Sequence, residues 1–104
     1  MKLVDTHTHI YGEKYDDDFS EVISRAEKEL EFIISIGYDL ESSKKGVELA
    51  KKYDFVYSVV GIHPVDIKKY NDEGERELTK MATDEPKVDA IGEIGLDYHW
   101  MEDP

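Results

Sequence analysis

Apolar positions along this chain switch between two periods, and the switches mark its elements. Lys2–Thr6 is apolar and β-branched and predicts a first strand. From Asp18 to Glu29, Phe19, Val22, Ile23 and Ala26 recur at helical spacing, with Leu30 just beyond. Asp16 to Asp18 offer that helix an N-cap. Glu31–Ile36 predicts a second strand, ended by Gly37. Leu40–Tyr53 predicts a second helix, with Val47, Ala50 and Tyr53 on one face and Asp39 as its cap; Gly46 weakens it. Phe55–Ile62 is nearly all apolar or β-branched and predicts a third strand, stopped by His63-Pro64. Asp72–Ala82 predicts a third helix through Leu78, Met81 and Ala82. After the turn at Asp84-Glu85-Pro86, Val88–Ile94 predicts a fourth strand. Gly95–Pro104 carries no clear element.

The order is β-α-β-α-β-α-β within one domain spanning residues 1–104, with no internal linker or repeat. Alternation of this kind predicts right-handed crossovers and a parallel sheet. The near-continuous apolar runs suit strands buried on both faces. Active sites of such folds lie at the carboxyl ends of the strands. There the sequence places His7 and His9 after the first strand, Tyr38 and Asp39 after the second and His63 after the third. Glu93 lies at the fourth, with His99 a little further on.

Composition narrows the chemistry. The chain has 104 residues and a net charge of −12, with no cysteine. Any metal is therefore held by N and O donors. Acidic groups cluster at Glu13–Asp18 and at Asp72–Glu77, where they suit helix N-termini. That charge opposes non-specific nucleic-acid binding. A phosphodiester substrate needs a local cation, which a bound metal supplies. No apolar run approaches the roughly 18–20 residues of a membrane span. No signal peptide is expected, because Asp5, His7 and His9 sit where its apolar stretch would lie. A cytoplasmic location is the default expectation.

The His7-Thr8-His9 pair has a geometric reading. In a strand, residues i and i+2 point to one side, so both imidazoles and Asp5 share a face. Asp5 either orients a histidine or is a buried acid satisfied by backbone. His63 either serves the site or caps the strand end. Tyr11, Tyr15 and Tyr38 are exposed tyrosines or stacking surfaces, and His99 and Trp100 read as loop surface.

Three segments carry a resemblance: Val4-Asp5-Thr6-His7-Thr8-His9, Gly61-Ile62-His63-Pro64 and Ala90-Ile91-Gly92-Glu93-Ile94-Gly95-Leu96-Asp97-Tyr98. Gly37–Ser43 adds a fourth. Together they resemble the N-terminal part of the TatD family of metal-dependent deoxyribonucleases, which are amidohydrolase-type barrels. The resemblance implies the first half of a TIM (β/α)8 barrel, four strands of eight. It implies that His7 and His9 bind the first metal and that Glu93 bridges two. It places His63 near the site without being a usual ligand, and Asp97 with Tyr98 as shaping the pocket. The implied catalytic set is Glu93, His63 and Asp97, with two divalent ions in the complete enzyme (Zn, Mn, Mg or Ni) and DNA as substrate. The family's remaining ligands come from later strands. The alternative is an inactive half-barrel that binds one metal or self-associates through its open edges.

Overall fold

A computed structural model describes residues 3–11 and 17–100. Its strands are β1 (Leu3–Thr8), β2 (Leu30–Ile36), β3 (Val56–Val60) and β4 (Val88–Ile91). Its helices are α1 (Phe19–Glu29), α2 (Leu40–Lys52) and α3 (Asp72–Asp84), and a 3-10 turn spans Pro64–Lys69. The sheet order is β1-β2-β3-β4, and every pair is parallel. Sequential order decides the architecture. Successive right-handed crossovers in one direction place all helices on one face, which bends a sheet toward a barrel. A doubly wound sheet reverses its order partway and covers both faces. The covered face here carries Ile33 and Ser35 of β2 and Val56, Ser58 and Val60 of β3, all buried. Phe32, Ile34, Tyr57 and Val59 alternate with them and are half-buried. The chain is thus a four-stranded arc, the first half of a (β/α)8 barrel.

The core lies between the sheet and its helices. Ile10, Ile23, Ile33, Ala50, Phe55 and Val56 form its buried cluster, flanked by Phe19, Val22, Ala26, Leu30 and Tyr53. Burying each large aliphatic chain there contributes roughly 1.5–3 kcal/mol. Gly46 lets α2 approach the sheet closely. A Cβ there would sit 3.0 Å from Ser58 Oγ and 3.1 Å from Ser35 Oγ. The glycine that lowers helix propensity is therefore the one that permits the packing.

The caps explain where helices begin. Asp39 caps α2 by accepting from Ser42 N at 2.8 Å, and Ser42 Oγ accepts in return from Asp39 N at 3.0 Å. Burial acts to raise the Asp39 pKa, but the Ser42 hydrogen bonds and Lys69 outweigh it and hold the carboxyl below its ordinary value. Asn71 caps α3 by accepting from Gly74 N at 2.7 Å. Asp18 stands at the N-cap of α1, but its side chain makes no capping bond. Its φ of −129° and ψ of 21° are not the extended backbone that a capping side chain requires.

Several boundaries differ from the sequence expectation. The first strand runs on to Thr8, so His7 lies within it. The third strand stops at Val60 and the fourth at Ile91, short of the apolar runs that continue to Ile62 and Ile94. Gly61 explains both endings. A Cβ there would clash with Gly92 O, so the two strands leave the ladder in close contact. Ile94, read as strand, is 66% exposed. The 3-10 turn was not expected, since its Val65 and Ile67 are exposed and six residues show no clear period. Lys2, the Glu13–Asp16 part of the acidic cluster with Tyr15, the Asp16 cap and residues 101–104 lie outside the described residues. Among the described residues, no helix is long and apolar enough to cross a membrane.

Candidate metal centre at the carboxyl rim

Three segments meet at the end of β2, and three consecutive carbonyls there receive them. Ile36 O accepts from His9 Nδ1 at 2.9 Å. Gly37 O accepts from Glu93 N at 3.2 Å. Tyr38 O accepts from His63 N at 2.8 Å. One short stretch of backbone thus positions residues from β1, β3 and β4 that are far apart in sequence. Gly92 N still donates to Val60 O at 2.9 Å, and only the next residue crosses to β2. The Gly92–Glu93 peptide is cis.

The side chains converge. One ligand atom each from His7, His9 and Glu93 lies within 4.8 Å of the others. The two imidazole rings are 5.2 Å apart between centroids and nearly perpendicular. His7 Nε2 is 3.9 Å from one Glu93 oxygen, and His63 Nε2 is 3.7 Å from the other. None of these separations is a closed hydrogen bond. The donor set is two nitrogens and a carboxylate, which suits a divalent first-row ion. Two metal–ligand bonds of ~2.0–2.2 Å at a tetrahedral angle hold their donor atoms about 3.3–3.6 Å apart. The three donors, within 4.8 Å of one another, would draw in by up to about 1 Å to close on one ion, and their types fit the divalent ion that the donor chemistry implies.

Neighbouring groups hold the site's edges. Tyr11 Oη donates to Ile36 O and lies 2.9 Å from His9 Nδ1. Burial pushes the Tyr11 phenol up to about 12, so it stays protonated. Tyr11, Tyr38 and His9 form an aromatic group with centroid separations of 5.8–6.1 Å. His63 Nδ1 accepts from Val65 N at 3.1 Å and caps the 3-10 turn, rather than the strand end. Lys69, in that turn, binds the Asp39 carboxylate at 3.0 Å and ties the turn to α2.

Other expected residues sit apart from the triad. Asp5 is exposed and accepts from the backbone N–H of His7 at 3.0 Å, so it is neither a buried acid nor bonded to an imidazole. Asp97 accepts from His99 N and Trp100 N at 3.2 and 3.0 Å, so its carboxylate holds its own loop. His99 and Trp100 are exposed. Tyr11 was legible as an exposed tyrosine or a stacking surface, and its tie to His9 had no signal in the sequence beyond proximity. An apolar cleft of about 350 Å³ lies between the 3-10 turn, α3 and β4, lined by Val60, Ile67, Leu78, Ile91 and Ile94. Its Tyr70 and Glu75 are hydrogen-bonded to each other. The ligand-type groups converge at the rim and not in that cleft.

A parallel β/α arc with a His-x-His pair and a carboxylate on its carboxyl rim defines the barrel class of metal-dependent hydrolases. Within that class, residues 4–104 match the family described as TatD related DNase. The chain belongs to this family. It is 43% identical to an uncharacterized metal-dependent hydrolase, YabD, of Bacillus subtilis, covering 98% of this chain and 40% of that protein. It is 35% identical to the 3'-5' ssDNA/RNA exonuclease TatD of Cronobacter turicensis, covering 93% and 37%. The crystal structure of a TatD homologue, YJJV, from Escherichia coli k12 superposes with a TM-score of 0.80 at 29% identity, covering 93% and 38%. The chain thus spans about two-fifths of the length of the relatives it matches.

Proposed function

We infer that this chain is the N-terminal half-barrel of a metal-dependent nuclease that hydrolyses DNA phosphodiester bonds. His7, His9 and Glu93 hold a divalent ion, and the complete barrel holds two. The observation that carries this reading is the convergence of the three donors within 4.8 Å at the rim. The printed activity of the Cronobacter relative supports a nucleic-acid substrate. When bound, a divalent ion supplies a more acidic water and a charge facing the phosphoryl oxygen. The bonds of His9 Nδ1 to Ile36 O and of the Glu93 backbone N–H to Gly37 O support this reading, since both anchor the donors at the end of β2. His63 stands beside Glu93, and Asp97 shapes the loop next to it. The protein works in the cytoplasm.

Titration of the chain with Mn²⁺ or Zn²⁺, followed by metal analysis, tests the site. One ion per chain is expected, lost in His7→Ala and in Glu93→Ala. Unchanged stoichiometry in both variants overturns the assignment. Single-stranded DNA cleavage is expected to be weak in the 104-residue chain, whose described residues carry one such triad. Robust turnover by that chain shows that these residues suffice.

The second reading is a non-catalytic half-barrel that self-associates. The free edges of β1 and β4 favour it, with Leu3 65% and Ile91 62% exposed. Light scattering that shows a monomer across the micromolar range removes this reading.

A further inference from the structure

We propose that backbone hydrogen bonds sort two rim histidines into opposite tautomers, making His9 a ligand and His63 a proton-bearing positioning residue for Glu93. A neutral imidazole carries one ring proton, and the partner of one nitrogen decides which nitrogen holds it. His9 Nδ1 lies 2.9 Å from Ile36 O. A carbonyl oxygen only accepts, so Nδ1 carries the proton and Nε2 keeps its lone pair. Tyr11 supports this arrangement because its hydroxyl also donates to Ile36 O.

His63 faces the reverse condition. Val65 N lies 3.1 Å from its Nδ1. A backbone N–H only donates, so Nδ1 carries the lone pair and Nε2 carries the proton. That Nε2 lies 3.7 Å from Glu93 Oε1, while Glu93 Oε2 faces His7 Nε2 at 3.9 Å. The two carboxylate oxygens are therefore addressed differently. His63 offers a proton to one and leaves the other for the ligand side. The 3-10 turn is the device that enforces this, since its first free N–H occupies the His63 nitrogen that would otherwise bear the proton. While the cap persists, His63 has no free lone pair with which to coordinate an ion.

The inference rests on the metal reading for its purpose, but its test does not. Long-range ¹H–¹⁵N correlation spectra of the metal-free chain at mildly alkaline pH report each tautomer directly. The expected pattern is Nδ1–H for His9 and Nε2–H for His63. Nδ1–H at His63, or Nε2–H at His9, overturns the proposal. Zn²⁺ addition is expected to shift His9 Nε2 and to leave the His63 proton in place; loss of that proton makes His63 a ligand and overturns it. His63→Gln keeps an amide donor near the Nε2 position, whereas the shorter amide of His63→Asn can replace the acceptor at Nδ1 but places no donor as far out as Nε2. Zn²⁺ affinity is expected to fall roughly tenfold more in Asn than in Gln. The opposite order counts against the proposal. If the unaltered chain binds no Zn²⁺, the metal reading fails, and the metal-free tautomers alone decide the inference.

Discussion

The two ends of the sheet gather charge in opposite ways. At the amino end, Lys87 donates to Ala50 O, Tyr53 O and Asp54 O at 2.6, 2.7 and 3.1 Å. Its three ammonium hydrogens close the last turn of α2, where orphan carbonyls need partners. Burial holds its pKa below the ordinary lysine value. Lys51 and Glu85 pair nearby at 3.0 Å. At the carboxyl end, Glu93 sits between His7 and His63 at 3.9 and 3.7 Å, and neither pair closes. A saturated charge holds structure, whereas an unsaturated cluster is available to a ligand. Lys69 and Asp39 close at 3.0 Å at the carboxyl end too, so the open spacing is particular to Glu93 and its two histidines.

The largest effects should fall cleanly on one end or the other. His7→Ala, on an exposed side chain, is expected to weaken divalent-ion binding by more than the ~100-fold seen for outer partners of ligands. Its thermal melt should move by no more than about 0.5 kcal/mol. Calorimetric ion titration beside a melt checks both, and a large stability loss would break the division of labour. Lys87→Met is the mirror case. It strips three carbonyls of a charged donor and should cost about 2 kcal/mol of stability with ion binding unchanged. Urea unfolding decides this.

Gly61→Ala should breach the comparison, because it touches both stability and the site. A Cβ clashing with Gly92 O forces the ends of β3 and β4 apart. Overpacking of this kind costs about 1–3 kcal/mol, and it should also shift Glu93 and weaken ion binding. If ion affinity survives intact, Glu93 is placed independently of the Gly61–Gly92 contact. The smallest effect is Asp39→Ala, at about 1 kcal/mol for a lost cap. The folded pKa of Asp39 lies below its ordinary value, so its contribution is present above the unfolded pKa. It is lost as pH falls through the depressed folded value. The stability gap between the two proteins should therefore be full near neutrality and shrink in acid; a gap independent of pH would contradict this.

Much of the fold was legible because its signals are local. Phe19, Val22, Ile23 and Ala26 mark α1 by spacing, and Asp39 marks the start of α2 by its chemistry. The placement of His7, His9, His63 and Glu93 toward the strand ends was read from the β-α alternation, although His7 lies inside β1 and Glu93 two residues beyond β4. What escaped notice depends on partners distant in sequence. The role of Lys87 rests on three carbonyls some 33 to 37 residues away. The end of β4 at Ile91 depends on Gly92 meeting Gly61, which an apolar run to Ile94 conceals. Backbone acceptors such as Ile36 O leave no trace in side-chain identity. The tie between Tyr11 and His9 was invisible for that reason.

The carbonyls of residues 36–38 act as a common datum. Because His9 Nδ1 and the backbone N–H groups of Glu93 and His63 bond to three consecutive carbonyls, their positions share one reference. A single inserted residue between Ile36 and Tyr38 would break that reference, since each carbonyl would then serve the wrong partner.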